Sequence, residues 1–245
     1  MKRGTLLQYA LGAVMVSLLA PAVAEAQIRR VSSTDSRHSI GFGLGYFALR
    51  SEDSRVEDDV LLADLPSLAF EIGDFNGAVI DGEWLVGISD YLEAGVGLGF
   101  YQRTVPSVYR DFQNFNGSEI EQDLKLRVIP FTATVRFLPV GRGGTIEPYV
   151  GVGIGVNRWR YSETGEFVDF SDDTIFRARY FADGTAAGPV VLGGLRAPVA
   201  DVWDVGGELR WQRAEGDIDT LDSGLLGSKI DLGGFTTQFM FGLRF

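Results

Sequence analysis

Apolar and polar or glycine positions alternate along most of this chain beyond residue 38. In the first such stretch Ile40, Phe42, Leu44 and Tyr46 fall on one face, and Gly41, Gly43 and Gly45 fall on the other. A period of two is that of a β-strand whose faces meet different surroundings. The spelling returns as GVGLGF from Gly95, where Ala94, Val96, Leu98 and Phe100 oppose Glu93 and three glycines. It returns again as GVGIGV from Gly151, setting Val150, Val152, Ile154 and Val156 against Gly151, Gly153 and Gly155. One more step of the same size reaches Gly206-Gly207, where Val205, Leu209 and Trp211 oppose Glu208, Arg210 and Gln212. Such a recurrence marks four supersecondary units. Each glycine stretch is followed by a second alternating segment, over 76–88, 122–138, 186–197 and 234–245. Four units of two strands predict eight strands.

The second members carry the polar chemistry. Over 76–88, Ala78, Ile80, Trp84 and Val86 oppose Asp81 and Glu83. Over 122–138, Leu124, Leu126 and Val128 alternate with Lys125 and Arg127, and at Pro130 the phase slips so that Phe131, Ala133, Val135 and Phe137 take over. A proline with a one-residue slip predicts a β-bulge. The connections alternate in length: 89–90, 139–147 and 198–202 are short, whereas 50–75, 105–121, 161–185 and 214–231 are long and polar. No low-complexity linker divides the chain, which predicts one domain over 27–245.

The glycine spellings lack both the G-x-G-x-x-G and the Gly-Lys-Ser/Thr pattern, so they are not phosphate loops. The alternation fits either a soluble barrel with its apolar face inside or a membrane barrel with that face outside. In a soluble barrel the triple glycines would have to form the solvated surface, which shields the backbone poorly. In a membrane barrel they face a crowded lumen and leave room for larger neighbours. Closure also pairs every backbone group, as hydrocarbon demands. The expected fold is therefore all-β, an eight-stranded antiparallel transmembrane β-barrel in an up-and-down meander. Its expected lumen holds Asp81, Glu83, Lys125, Arg127, Glu208, Arg210 and Gln212, with Arg244 as a further candidate, joined in a salt-bridge network. The paired carboxylates Asp81/Glu83 and Glu208 also admit acid–base chemistry or a metal, a reading the shared arginines and lysine disfavour. Tyr91, Tyr149 and Trp203 toward the short turns, with Trp159 and Tyr161 toward the long connections, are expected to form interface girdles.

Composition narrows the function classes. Met1-Lys2-Arg3, the apolar run over 10–20 and Ala24-Glu25-Ala26 predict a cleaved secretory signal peptide over 1–26. A formal net charge of −11 speaks against nucleic acid as a partner. Cysteine is absent, which excludes disulfides and thiolate metal sites. The acidic clusters Glu57-Asp58-Asp59, Asp172-Asp173 and those from Asp217 to Asp222 show no EF-hand spelling and are expected to be solvated charge. The single histidine, His38, adjoins Ser39, but neighbours on a strand point to opposite faces, so the two cannot act as a pair. No catalytic residue and no cofactor is expected.

The signal segment, the strand EPYVGVGIGV from Glu147 and the ending FTTQFMFGLRF together resemble the small eight-stranded outer-membrane barrels of Gram-negative bacteria, the OmpA/OmpW-like superfamily. The resemblance spans essentially all of 27–245. It implies location in the outer membrane, contact with outer-membrane lipid and lipopolysaccharide, and passage through the barrel-assembly machinery. Phe239, Phe241, Leu243 and Phe245 match the C-terminal assembly signal of that family. It further implies either a structural or interaction role through the external connections, especially 50–75 and 161–185, with ligands the sequence does not specify, or a narrow OmpW-like conduit for small apolar solutes. A lipid A-modifying enzyme is the weakest of the three readings.

Overall fold

The computed structural model describes residues 37–245; the expected signal peptide, 1–26, lies outside the described residues. The barrel strands are β1 (His38–Leu49), β2 (Gly77–Gly87), β3 (Leu92–Gln113), β4 (Glu119–Phe137), β5 (Glu147–Asp169), β6 (Thr174–Pro198), β7 (Trp203–Gln212) and β10 (Gly234–Arg244). They close in the order β1-β10-β7-β6-β5-β4-β3-β2, every neighbour antiparallel. This is the eight-stranded meander expected from the alternation. Where all eight strands pair, closure leaves no strand edge exposed.

Strand lengths divide the barrel. β1, β2, β7 and β10 have 12, 11, 10 and 11 residues, close to the roughly 9–11 that a tilted strand needs to cross hydrocarbon. β3, β4, β5 and β6 have 22, 19, 23 and 25, about twice that need. They continue as a tall wall beyond the other four. The stretches 105–121 and 161–185, expected as long connections, are therefore mostly strand, joined by the tight turns 114–118 and 170–173. Only 50–76 and 213–233 are true long connections. The first holds α1 (Val60–Asp64) and a 3-10 turn (Ile72–Phe75); the second holds a small hairpin, β8 (Glu215–Asp217) with β9 (Lys229–Asp231), and α2 (Thr220–Ser223).

The two halves of the tall strands have opposite polarity. In the lower half the outward residues are apolar and exposed: Phe42, Leu44, Leu98, Val152, Ile154 and Phe241 belong to a continuous band. The inward residues there are mostly polar or glycine, with Leu85, Leu192 and Met240 buried among them. In the upper half Leu124, Leu126, Val128, Trp159 and Tyr161 are buried inside, while Lys125, Arg127, Arg158 and Arg160 lie on the outward positions. The change falls at Pro130, and it is not a bulge. The register runs unbroken from Leu98↔Phe131 to Tyr101↔Val128 on one side of β4 and from Val128↔Trp159 to Phe131↔Val156 on the other. The single register shift between β3 and β4 lies at Val108/Gln113. What slips at Pro130 is the identity of the apolar face: below it the apolar side chains point outward, above it they point inward.

The upper interior is a packed core closed by the two long connections. Val60, Leu61, Leu68, Phe70, Ile72 and Phe75 from 50–76 join Phe47, Tyr101, Leu126 and Trp159 from the wall, and Ile218, Leu225, Ile230 and Leu232 from 213–233. Each large side chain buried there contributes about 1.5–3 kcal/mol. The Trp159 indole lies so close to Gly184 and Gly216 that a Cβ at Gly184 would stand 3.0 Å from its ring and one at Gly216 would overlap it. Asp59 fixes the plug at its start: it caps α1 by accepting from Leu61 N at 3.0 Å, takes both Arg55 Nε and Nη2, and accepts from Asp231 N at 2.6 Å. Arg55 also donates to the Asp231 carbonyl, tying the two connections together.

Candidate functional site

The lower lumen is filled by two ionic clusters. β2, β4 and β7 turn Asp81, Glu83, Arg136, Glu208 and Arg210 inward because each lies on the parity opposite to its strand's apolar residues. Arg136 donates to Glu83 through both Nη atoms, at 3.0 Å for Nη1, and to Glu208 Oε2 at 2.9 Å. Arg210 donates Nε and Nη2 to Glu208 Oε1 at 3.1 and 2.8 Å and Nη1 to Asp81 Oδ2 at 3.3 Å. Tyr149 and Gln238 complete the shell of Glu208, donating at 3.1 and 3.0 Å. The Arg136 guanidinium also lies 4.8 Å over the Tyr149 ring, a cation–π contact.

Nearer the short turns, Glu147 takes Arg196 Nε at 2.8 Å and Arg244 Nη1 and Nη2 at 3.0 and 2.8 Å. Arg196 reaches Glu93 at 2.8 Å, Arg142 lies 3.3 Å from Glu93, and Arg244 Nε holds Asp204 at 2.8 Å. Glycines on β1 make the room: a Cβ at Gly41 would stand 2.9 Å from Glu83 Cγ, and one at Gly43 would overlap the Asp81 carboxylate. Between the clusters, lined by Ser39, Glu83, Arg136, Tyr149 and Arg196 among others, remains a cavity of about 20 Å³. That holds about one water.

Among the sequence-expected lumen residues, Asp81, Glu83, Glu208 and Arg210 meet in one cluster, and Gln212 stands above them, donating to the Leu232 carbonyl at 3.0 Å. Lys125 and Arg127 do not join them. They lie on the outward positions of β4 above the band, because the inward positions there belong to Leu124, Leu126 and Val128. Arg136, Arg196, Arg142, Glu93, Glu147 and Asp204 are lumen groups beyond those expected, although Arg136 shares the parity of Thr132 and Thr134, opposite to Phe131 and Val135. Three expected girdle aromatics are also inward: Trp159 and Tyr161 sit in the upper core, and Tyr149 in the ionic cluster. Tyr91 and Trp203 are exposed near the short turns.

The upper core contains one polar latch. Asp64, at the end of α1, accepts from Tyr161 Oη at 3.1 Å and hydrogen-bonds the Glu163 carboxyl of β5. Burial, with the neighbouring Asp64 charge, pushes Glu163 up to about 9, and burial pushes Asp64 up to about 6. Burial favours the protonated form of both carboxyls, and a proton on Glu163 turns its repulsion from Asp64 into a hydrogen bond between plug and wall. Tyr161, fully enclosed, is raised well above its ordinary value by burial first and Asp64 next.

His38 lies outside the lumen, its ring 5.8 Å from Trp84 and 5.9 Å from Phe245, while Ser39 is buried on the opposite face. Phe239, Phe241 and Phe245 are exposed on the band, with Leu243 between them on the same side. Among the described residues no three metal-ligating side chains converge.

No protein-family model matches the chain, and no curated protein matches it. Among solved structures, the outer membrane protein OprG from Pseudomonas aeruginosa is similar at a TM-score of 0.50 and 10% identity, over 86% of this chain and 96% of that one. Neisserial surface protein A matches at 0.43 and 13%, over 85% and 96%. A major outer membrane protein from Thermus thermophilus matches at 0.43 and 13%, over 86% and 99%. At 10% identity the likeness to OprG concerns the fold, that of the small eight-stranded outer-membrane barrels.

Proposed function

We propose that this chain is an outer-membrane barrel that does not conduct, a membrane-anchored platform whose tall β3–β4 and β5–β6 hairpins meet partners outside the cell. The observation that carries this reading is the filled interior. Two ion-pair clusters occupy the lower half, an apolar plug occupies the upper half, and the cavity between the clusters measures about 20 Å³. A hydrated solute has no route through such a lumen, and an apolar one would have to cross the charged clusters. The fold shared with OprG and the band of outward apolar side chains support placement in the outer membrane.

The hairpin tips carry the surface for contact. Phe112 of β3 packs on Phe170 at 5.6 Å, and Tyr109 lies 6.4 Å from the same ring, which braces one hairpin against the other. Phe170 is left exposed on this brace, and Phe115 stands exposed in the β3–β4 turn. Exposed aromatics on a rigid support are typical anchors for a protein partner. The expectation from composition and resemblance, that the external face meets ligands or surfaces, thus acquires specific residues.

Planar-bilayer recording on the purified barrel tests the proposal. The parent is expected to be silent, and Arg136→Gln with Arg210→Gln to produce flickering currents as the lower clusters loosen. A large, steady open state in the parent would refute it.

A further inference from the structure

Lys125, Arg127, Arg158 and Arg160 form a cationic patch on the outer wall of β4 and β5, directly above the apolar band. We infer that this patch binds the phosphate of an anionic lipid headgroup in the surrounding leaflet. The position comes first. Arg127 is the next outward residue above Ile129 on β4, and Arg158 the next above Val156 on β5, so both side chains emerge where hydrocarbon gives way to headgroups. A phosphate bonded to the lipid lies at this depth.

The charge arrangement points the same way. Arg127 and Arg160 face each other directly across the β4–β5 ladder. Like charges opposite one another in a sheet are destabilising, and no carboxylate of the described residues bridges Arg127, Lys125 or Arg160. Asp183 stands directly opposite Arg160 across the β5–β6 ladder, but its carboxylate is held by Arg158 at 3.2 Å; Asp123 lies one outward step above Lys125, farther from the band. Arg160 is half-buried, its guanidinium 4.5 Å over the Phe181 ring, and its Nε has no hydrogen-bond partner in the protein. Phe181 thereby fixes one guanidinium, and no carboxylate of the described residues is bonded to it. Two planar guanidiniums side by side, with a lysine as a flexible third cation, suit the tetrahedral oxygens of a phosphate. An anion between Arg127 and Arg160 turns their repulsion into a shared attraction.

The inference needs the band to face lipid but does not need the lumen to be closed, so a conducting barrel would leave it standing. The test is native mass spectrometry of the detergent-purified full chain. The probes are bisphosphorylated lipid A, the same lipid after dephosphorylation, and inorganic phosphate as competitor. The parent is expected to retain the phosphorylated lipid at least about tenfold better than the dephosphorylated one, the scale of one or two charge-assisted hydrogen bonds. Arg127→Gln/Arg160→Gln should lose that preference, whereas Arg213→Gln, at the start of the second long connection and already paired with Glu215, should keep it. A second reading guards against a folding defect: in neutral detergent the double variant should unfold at a higher urea concentration than the parent, and added lipid A should remove the gap. Equal retention by parent and double variant overturns the inference. So does full displacement by inorganic phosphate, which would identify a free-anion site instead.

Discussion

The latch between plug and wall makes a pH prediction whose sign is fixed by the structure. Glu163 and Asp64 hold protons more tightly when the barrel is folded than when it is not: Glu163 rises from 4.5 to about 9 and Asp64 from 3.8 to about 6. Their contribution is therefore complete below the unfolded values and is lost as pH climbs through the folded ones. Between pH 5 and 8 the folded state keeps the Glu163 proton while the unfolded chain has released it. Each pH unit then removes roughly 1.4 kcal/mol, or about 2–4 kcal/mol across the interval. The loss concentrates where Asp64 sits, in α1 and the turn that follows. Hydrogen exchange over residues 60–75 should show protection falling from pH 5 to pH 8 after correction for intrinsic rates. Glu163→Gln keeps the size and still donates to Asp64, so its protection should change little above about pH 6 and exceed the parent's at pH 8 by about 2 kcal/mol. Protection that is flat in the parent, or a variant that follows the parent's slope, would refute a proton held on Glu163.

Two further substitutions probe the lower lumen. Arg136→Met strips the charge from the centre of its cluster, leaving Glu83 buried without its cation and Glu208 with Arg210 alone. It should cost about 3–5 kcal/mol in urea unfolding, and adding Glu83→Leu should recover part of that loss. Gly41→Val places branched carbons where Glu83 Cγ stands only 2.9 Å from the position a Cβ would take; overpacking of this kind costs about 1–3 kcal/mol, seen as a lower urea midpoint, whereas Gly73→Ala, with open space around it apart from Asn76 at 3.8 Å, should be nearly neutral.

The number of strands, their order and the facing of the lower half were legible because one rule, apolar out and small or polar in, holds through the band. The rule fails above it, and the failures share a cause. Once β4 and β5 leave the hydrocarbon, water lies outside and the plug lies inside, so Leu126 and Trp159 turn inward and Lys125 and Arg127 outward with no change of register. Assigning the apolar face to lipid everywhere puts Lys125 and Arg127 in the lumen, makes a bulge of Pro130 and sends Trp159 and Tyr161 to a girdle. The strand extensions read as connections because their outward residues, such as Asp123, Glu121 and Arg177, are as polar as loops. Part of the ionic lumen was legible by parity alone. The partners from distant strands, such as Glu147 with Arg196 and Arg244, are set by barrel closure and have no local spelling.

The absence of native cysteine makes the boundary at Pro130 directly measurable. Single cysteines at 135, 133, 131, 129, 127 and 125 on β4 would carry nitroxide labels in a lipid bilayer, read for collision with oxygen and with a water-soluble nickel chelate. With hydrocarbon ending at Pro130, collision should be oxygen-dominated at 135, 133 and 131 and nickel-dominated at 127 and 125, with the crossover at 129 and a label at 126 shielded from both. Labels at 127 and 125 shielded from nickel, with the label at 126 exposed to lipid, would contradict that boundary.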